Sequence, residues 1–324
     1  MMGLASRFTA NEFTLVQDSM HKPQISLLVP LFQQSKFVEA SLQSILSQRE
    51  IPCEIIISDD NSCDDTFEIA LRQVIQYFKS GRQCHRILLR RGNIRLRRDH
   101  IHLLAAKASV DIVAQFHGDD LFDEYRAVAL HSSINSVCGS FVASTHIAID
   151  SNGVSVQSAE AEWKGLRPLS IDEVARPPMW PDWVIGSSQC WNKSHLSKFE
   201  SLCMEKNPYA HDRIIPFRAS LLCGAFTLAS PLYRKRMHSG MWSFADCPMG
   251  PIQQSFRMCL IYFSALSAMI DDLNAARTLG ICEMPGFFKI QDVLLSELVT
   301  VAYTMRCNFG HLASRGFENS WFSH

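Results

Sequence analysis

A chain of 324 residues, 47% hydrophobic and 19% charged, carries enough apolar material for one large core or two smaller ones and is not a disordered or low-complexity chain. Its 31 Lys and Arg balance 32 Asp and Glu to a net charge of −1, which excludes nucleic-acid binding by bulk charge. The 11 cysteines are scattered and include no Cys-x-x-Cys pair, so a disulfide framework or zinc ribbon is excluded and a reducing compartment is expected.

Residues 1–22 are polar and mixed, a lead-in without the apolar run of a signal peptide. Ile-Ser-Leu-Leu-Val at 25–29, closed by Pro30, predicts a buried strand. Over 36–47, Phe37, Val38, Leu42, Ile45 and Leu46 recur on a helical period. Pro52 breaks the chain before a second strand at 54–57, which ends in Ser58-Asp59-Asp60-Asn61-Ser62. Asp64, Asp65 or Thr66 then caps a helix that runs to about residue 78. A third strand at 86–89, a helix at 98–108 and a strand at 111–116 follow. Strands joined by long helical connections predict an α/β fold, a doubly wound, mostly parallel sheet flanked by helices. Seven arginines, Arg82, Arg86, Arg90, Arg91, Arg95, Arg97 and Arg98, crowd one part of this half. They suit phosphates or an anionic membrane face as well as plain solvation.

Further on, 123–137 reads as a helix, and 141–149 with 154–157 as a hairpin around Asn152-Gly153. The stretch 163–191 is rich in proline and tryptophan, a composition found where a sugar stacks and equally in plain loop cores. Helices are expected at 194–205 and 211–223, and a short strand at 232–236. Beyond about residue 240 the chain reads as helical, with apolar faces at 258–270 and 293–303. The first of these is too short for a bilayer span of about 20 residues. A cytoplasmic location is expected.

The stretch that carries chemistry is 113–120, Val-Ala-Gln-Phe-His-Gly-Asp-Asp. A buried strand there delivers Asp119 and Asp120 to the C-terminal edge of the sheet, where open α/β folds bind ligands. Adjacent carboxylates suit a hard cation bridging a phosphorylated ligand; capping the next helix is the alternative. Asp59 and Asp60 repeat the pattern after the second strand, Asp212 lies far downstream, and His238 follows a basic strand. Carboxylates with a histidine suit Mn²⁺ or Mg²⁺ on a diphosphate. The chain has no Gly-x-Gly-x-x-Gly after its first strand, no phosphate loop of the Gly-x-x-x-x-Gly-Lys type and no Gly-x-Ser-x-Gly elbow.

Over about residues 23–243 these motifs together resemble the family 2 glycosyltransferases of GT-A fold. They are Ile-Ser-Leu-Leu-Val-Pro-Leu-Phe from Ile25, Leu-Gln-Ser-Ile-Leu-Ser-Gln from Leu42, Glu-Ile-Ile-Ile-Ser-Asp-Asp-Asn-Ser from Glu54, and Gly92-Asn93-Ile94. His117-Gly118-Asp119-Asp120 is similar to the family's Asp-x-Asp motif, His211-Asp212-Arg213 to its Glu-Asp segment, and Tyr233-Arg234 with Met237-His238-Ser239 to its closing Tyr-Arg-x-His element. The resemblance implies that Pro30 borders the nucleotide base, that Asp59 or Asp60 accepts from the base, and that Asn93 and Arg98 reach the nucleotide. It implies that Asp119 and His238 hold the metal, Mn²⁺ or Mg²⁺, with Asp120 supporting it or touching the sugar. Asp212 becomes the base that deprotonates the acceptor hydroxyl, with inversion at the anomeric carbon. Two positions depart from the pattern: His117 replaces the first aspartate, and His211 replaces the glutamate before the base.

The implied organisation is a lead-in at 1–22, a transferase domain at 23–240 with a nucleotide-sugar half (23–120) and an acceptor half (121–240), and a helical C-terminal extension at 241–324. The implied function is transfer from a nucleoside-diphosphate sugar, UDP-linked in this reading, to a carbohydrate or lipid-linked hydroxyl acceptor in surface polysaccharide or glycoconjugate synthesis. Peripheral association with the inner face of a membrane is part of the expectation, and nucleic acid is not a partner. The competing reading is a sugar-nucleotide-binding or scaffold protein on the same fold that has lost catalysis, favoured by His117 and His211.

Overall fold

A computed structural model describes residues 13–82, 85–93, 100–158, 164–176, 184–199, 211–238, 251–280 and 287–313. Its first half is β1 (Thr14–Gln17), β2 (Ile25–Leu31), α1 (Val38–Leu46), β3 (Cys53–Asp59), α2 (Thr66–Lys79), β4 (Arg86–Arg91), α3 (His100–Lys107) and β5 (Ile112–Gln115). β2 and β3 are Ile/Leu/Val runs without polar alternation, as strands covered on both faces must be. They pair in parallel from Ile25↔Cys53 to Leu31↔Asp59. β4 and β5 join on either side, so β4-β3-β2-β5 is a parallel block whose C-terminal ends share one edge.

The alternation of that block sorts its side chains into two cores. Leu28, Ile56 and Leu88 face one side, while Leu27, Val29, Ile55 and Ile57 face the other. α2 covers the second with Phe67, Ala70, Val74 and Tyr77, all buried on its inward stripe.

The second half is β6 (Leu121–Phe122), α4 (Arg126–Ser136), β7 (Phe141–Ile149), β8 (Ser155–Ser158), β9 (Gly165–Pro168), α5 (Ile171–Ala175), β10 (Gln189–Asn192), α6 (Lys193–Leu196), α7 (His211–Ser220) and β11 (Ala225–Arg236). Two long helices follow, α8 (Pro251–Thr278) and α9 (Phe287–Ala313). The sheet order is β1-β4-β3-β2-β5-β10-β7-β11-β6, with β8 on β7 and β9 on β11. β10 is antiparallel to both of its neighbours, whereas β11 runs parallel to β7. The sheet is thus parallel across β4-β3-β2-β5 and mixed beyond β5.

Several elements differ from their expected extents. β2 continues through Pro30 to Leu31, because its register with β5 ends at Leu28 and Pro30 turns its missing N–H to that unpaired side, while the ladder with β3 runs on. The lead-in contributes β1, an antiparallel edge strand on β4. β11 is far longer than the strand expected at 232–236; two register shifts around Pro231 let it bend and keep pairing. Of the helix expected at 194–205, the described residues form a single turn, α6, capped by the Asn192 side chain; 200–205 lie outside the described residues. The hairpin at Asn152-Gly153 is present, but its loop covers 150–154: Asp150 Oδ1 accepts from the N–H groups of Asn152 and Val154, and Gly153 takes φ +87°. None of the helices among the described residues is long and apolar enough to cross a membrane.

Candidate active site

The parallel block ends in two loops that are bonded to one another. Asp60 N–H donates to Leu31 O at 2.8 Å, Gln33 N–H to Ser62 Oγ at 2.9 Å and Ser35 N–H to Asp64 Oδ2 at 3.1 Å. Pro30, half-buried, and the buried Asp59 and Asp60 line this edge. Asp59 is taken up locally: Oδ2 accepts from Ser62 N–H at 2.9 Å and Oδ1 from the Ser62 hydroxyl. Burial still holds its carboxyl above the ordinary aspartate range, with the Ser62 bonds and Arg91 pulling the other way. Beneath them Arg90, fully buried, donates to Ser58 Oγ at 2.9 Å, and the charges of Asp60 and Asp59 offset part of its burial. Asn93 is exposed just beyond β4. Arg98 and Arg97 lie outside the described residues, as does the Pro/Trp run at 177–183.

Along the same edge, β5 delivers His117, Asp119 and Asp120, whose ligand atoms all lie within 4.8 Å of one another. Two glycines allow this packing. A Cβ on Gly118 would stand 2.2 Å from Leu31 Cδ2 and 2.4 Å from Gln34 Oε1, and one on Gly186 would stand 2.6 Å from His117 Cε1. Asp119 Oδ2 accepts from His238 Nε2 at 3.1 Å, and His238 packs on Phe37 with ring centroids 4.6 Å apart. His238 therefore meets the cluster through Asp119, and His117, the departure from the family pattern, is its third member.

Asp120 is held from below. Its Oδ1 accepts from the Arg236 backbone N–H at 2.9 Å and its Oδ2 from the Ser187 hydroxyl. Burial, and then the charge of Asp119, push its carboxyl up to about 7. Burial acts on Asp119 too, but the His238 hydrogen bond and the two imidazoles hold it below the ordinary range. A pair that resists double ionisation is what a cation between the carboxylates relieves. Two carboxylates and one imidazole suit a divalent ion, and the imidazole favours Mn²⁺ over Mg²⁺.

Behind the cluster lies a residue without a sequence signature. Arg126 is fully buried, donates to Ser187 O and to Gln115 O, the latter at 3.3 Å, and sits over the rings of Phe116 and Tyr233 at 4.4 and 5.2 Å. Burial lowers its pKa to about 10. Tyr233 is also buried, and its hydroxyl, pushed well up by burial, feels the charges of both Asp120 and Asp212. Asp212 itself is half-buried in the first turn of α7. Gln189 Nε2 donates to the Asp212 carbonyl at 2.8 Å. Ser187, Gln189, Arg126 and Arg236 were not foreseen. Only the small-residue run Gly186-Ser187-Ser188 ahead of a strand is a signal for one of them.

Residues 26–152 match the family model described as Glycosyl transferase family 2. Over 99 residues the chain is 32% identical to an uncharacterized protein of Mycobacterium tuberculosis, a match that covers 31% of this chain and 28% of that relative. This chain thus spans little more than a quarter of the curated relative it matches. Among solved structures, S. aureus TarS residues 1–349 in complex with UDP-GlcNAc superposes with a TM-score of 0.53 at 12% identity, covering 87% of this chain and 91% of that one. A longer S. aureus TarS structure gives 0.50 at 12% identity over 86% of this chain and 54% of its own. At that identity the likeness is one of fold.

Proposed function

We propose, for a chain whose residues 26–152 belong to glycosyl transferase family 2, the inverting transfer of a sugar from a nucleoside-diphosphate donor to a hydroxyl acceptor. The observation that carries it is the His117–Asp119–Asp120 cluster on the edge where β2 and β3 also end, with the charge of Asp212, like that of Asp120, acting on the buried Tyr233 hydroxyl. In this reading the loops after β2 and β3 take the nucleoside: Pro30 and Leu31 border the base, and Asp59 or Asp60 accepts from it. A UDP donor agrees with the family resemblance and with the UDP-GlcNAc bound by TarS.

His117, Asp119 and Asp120 would hold a divalent ion, Mn²⁺ by preference, with His238 orienting Asp119. Such an ion offsets the charge of a leaving diphosphate. Asp212 takes the proton from the acceptor hydroxyl as its oxygen forms the bond to the anomeric carbon. The bond from that carbon to the diphosphate breaks with its electron pair leaving on the diphosphate, and configuration inverts. Asp212 then returns its proton to solvent. The buried Arg126 and Ser187 keep Asp120 in place and exclude water behind it. The acceptor class, carbohydrate or lipid-linked, and a cytoplasmic location at the inner face of a membrane are proposed on the family resemblance alone.

The test is turnover of a panel of nucleotide sugars with Mn²⁺, with and without acceptors, in wild type, Asp212→Asn and Asp119→Ala. Asp212→Asn is expected to lower kcat by roughly 10²–10⁴-fold with donor binding kept, in line with the contribution of a general base. Asp119→Ala is expected to lose Mn²⁺ dependence. Donor binding without turnover on any acceptor would favour the scaffold reading, and no donor binding at all would sink both.

A further inference from the structure

Helix α7 contains its own interruption. In an α-helix the N–H of residue i donates to the carbonyl of residue i−4, and Pro216 has no N–H. The carbonyl that loses its donor is that of Asp212. It is taken instead by a side chain from the sheet: Gln189 Nε2, on fully buried Gln189, donates to it at 2.8 Å.

Gln189 opens β10, the strand between β5 and β7. The antiparallel register Cys190↔Ala114, continued by one residue, sets Gln189 opposite Gln115, whose Oε1 lies 3.2 Å from His117 Nε2. Facing residues on two adjacent strands therefore each reach one side of the site, His117 from Gln115 and Asp212 from Gln189. An ordinary helical bond would tie Asp212 only to its own helix. This bond ties it to the sheet edge that carries the aspartates.

We infer that Gln189 is a positioning residue for Asp212, with Pro216 freeing the carbonyl that Gln189 grips. The inference rests on the reading of Asp212 as the base. The competing role is purely structural, in which Gln189 does no more than satisfy an orphaned carbonyl.

The two roles separate in a set of variants assayed for sugar transfer, nucleotide binding and thermal unfolding. Gln189→Met keeps the volume and removes the donor. It is expected to lower Tm and to lower kcat by roughly 10- to 100-fold, the scale of a small misplacement of a reacting group, with donor KM unchanged. Adding Pro216→Ala supplies a helical N–H to the Asp212 carbonyl. The double variant is expected to regain Tm but not kcat, because the carbonyl is satisfied while the tie to the sheet is still absent. If Gln189→Met does not fold, the double variant carries the kinetic comparison. Wild-type kcat in Gln189→Met, or kcat restored together with Tm in the double variant, would overturn the inference and leave the transferase reading standing. A wild type that turns over no nucleotide sugar overturns the transferase reading, and this inference with it.

Discussion

Asp119 and Asp120 are neighbours in the chain with opposite surroundings, one hydrogen-bonded to an imidazole and the other enclosed against a serine and a backbone amide. Their place at the end of a strand was legible, because an apolar run that stops at a glycine and two carboxylates has few other meanings in an α/β chain. What surrounds them was not, since Ser187 and Arg236 come from segments far along the chain. His100 is a second case of a residue defined by its burial. It lies 4% exposed near Arg90, and burial, then the arginine's charge, press its pKa down to about 3. Because the folded value lies below the ordinary 6.5, the unfolded chain binds the extra proton between those values. Stability from this residue is therefore fully present above pH 6.5 and falls as pH drops towards 3, by about 1.4 kcal/mol per pH unit. His100→Gln removes that dependence. Urea unfolding at pH 6.5 and 5.0 should show wild type losing about 2 kcal/mol more than the variant over this interval. Carboxylates titrate in the same range in both proteins, so the difference isolates His100, and equal losses would show that its imidazole is not held neutral.

At the scale of elements, the parallel block was read correctly because its strands are continuous apolar runs and its helices keep a clean 3.6-residue period. The second half hid its order. β10 is four residues long, comes after β7 and β8, and yet inserts next to β5; nothing local in Gln-Cys-Trp-Asn announces that position. The expected strand begins at residue 232, just after Pro231, whereas in the structure β11 starts at Ala225 and Pro231 lies at a register shift within it. Neither could the sequence reveal how α7 is braced. Arg218 Nε and Nη2 donate to the two carboxylate oxygens of Asp272 on α8 at 2.7 and 2.8 Å, and both side chains are only 6% exposed. Partners 54 residues apart leave no periodic trace. Asp272→Ala leaves a buried guanidinium unpaired and should cost about 3–5 kcal/mol in urea unfolding. Replacing both residues at once, Arg218→Met with Asp272→Leu, should cost much less, because an apolar pair of similar volume removes the desolvation penalty together with the bond. Equal losses in the single and double variants would mean that the pair fixes α7 in some way other than charge compensation.

For the whole molecule, the question is whether the C-terminal helices are an appendage or a wall. Their helical character was legible from the apolar faces at 258–270 and 293–303, and packing onto the rest of the chain is the default for such faces, but which part of it they cover was not legible. One of the two cores answers it. On the sheet side it holds Val113, Phe141, Ala143 and Trp191, and α7 adds Ile214, Ile215 and Phe217. Leu266, Met269 and Leu273 of α8 and Leu294 of α9 then complete the same cluster, all of them almost fully buried. The helix that carries Asp212 is therefore packed between the sheet and the α8–α9 pair. Removing the pair would expose that face of α7 and leave Arg218 without Asp272. A chain ending at Gly250 should then be poorly soluble or melt without a cooperative transition, since a layer facing one core cannot be deleted without uncovering the rest. Circular dichroism melts and sedimentation of the truncated and full-length chains, each with and without UDP, check this. The β4-β3-β2-β5 block has its second core on the opposite face under α1 and α2, so any structure that survives should concentrate there. A truncated chain that melts cooperatively at the full-length temperature and still turns over a donor would show that the helices are an appendage and that α7 is held by the sheet alone.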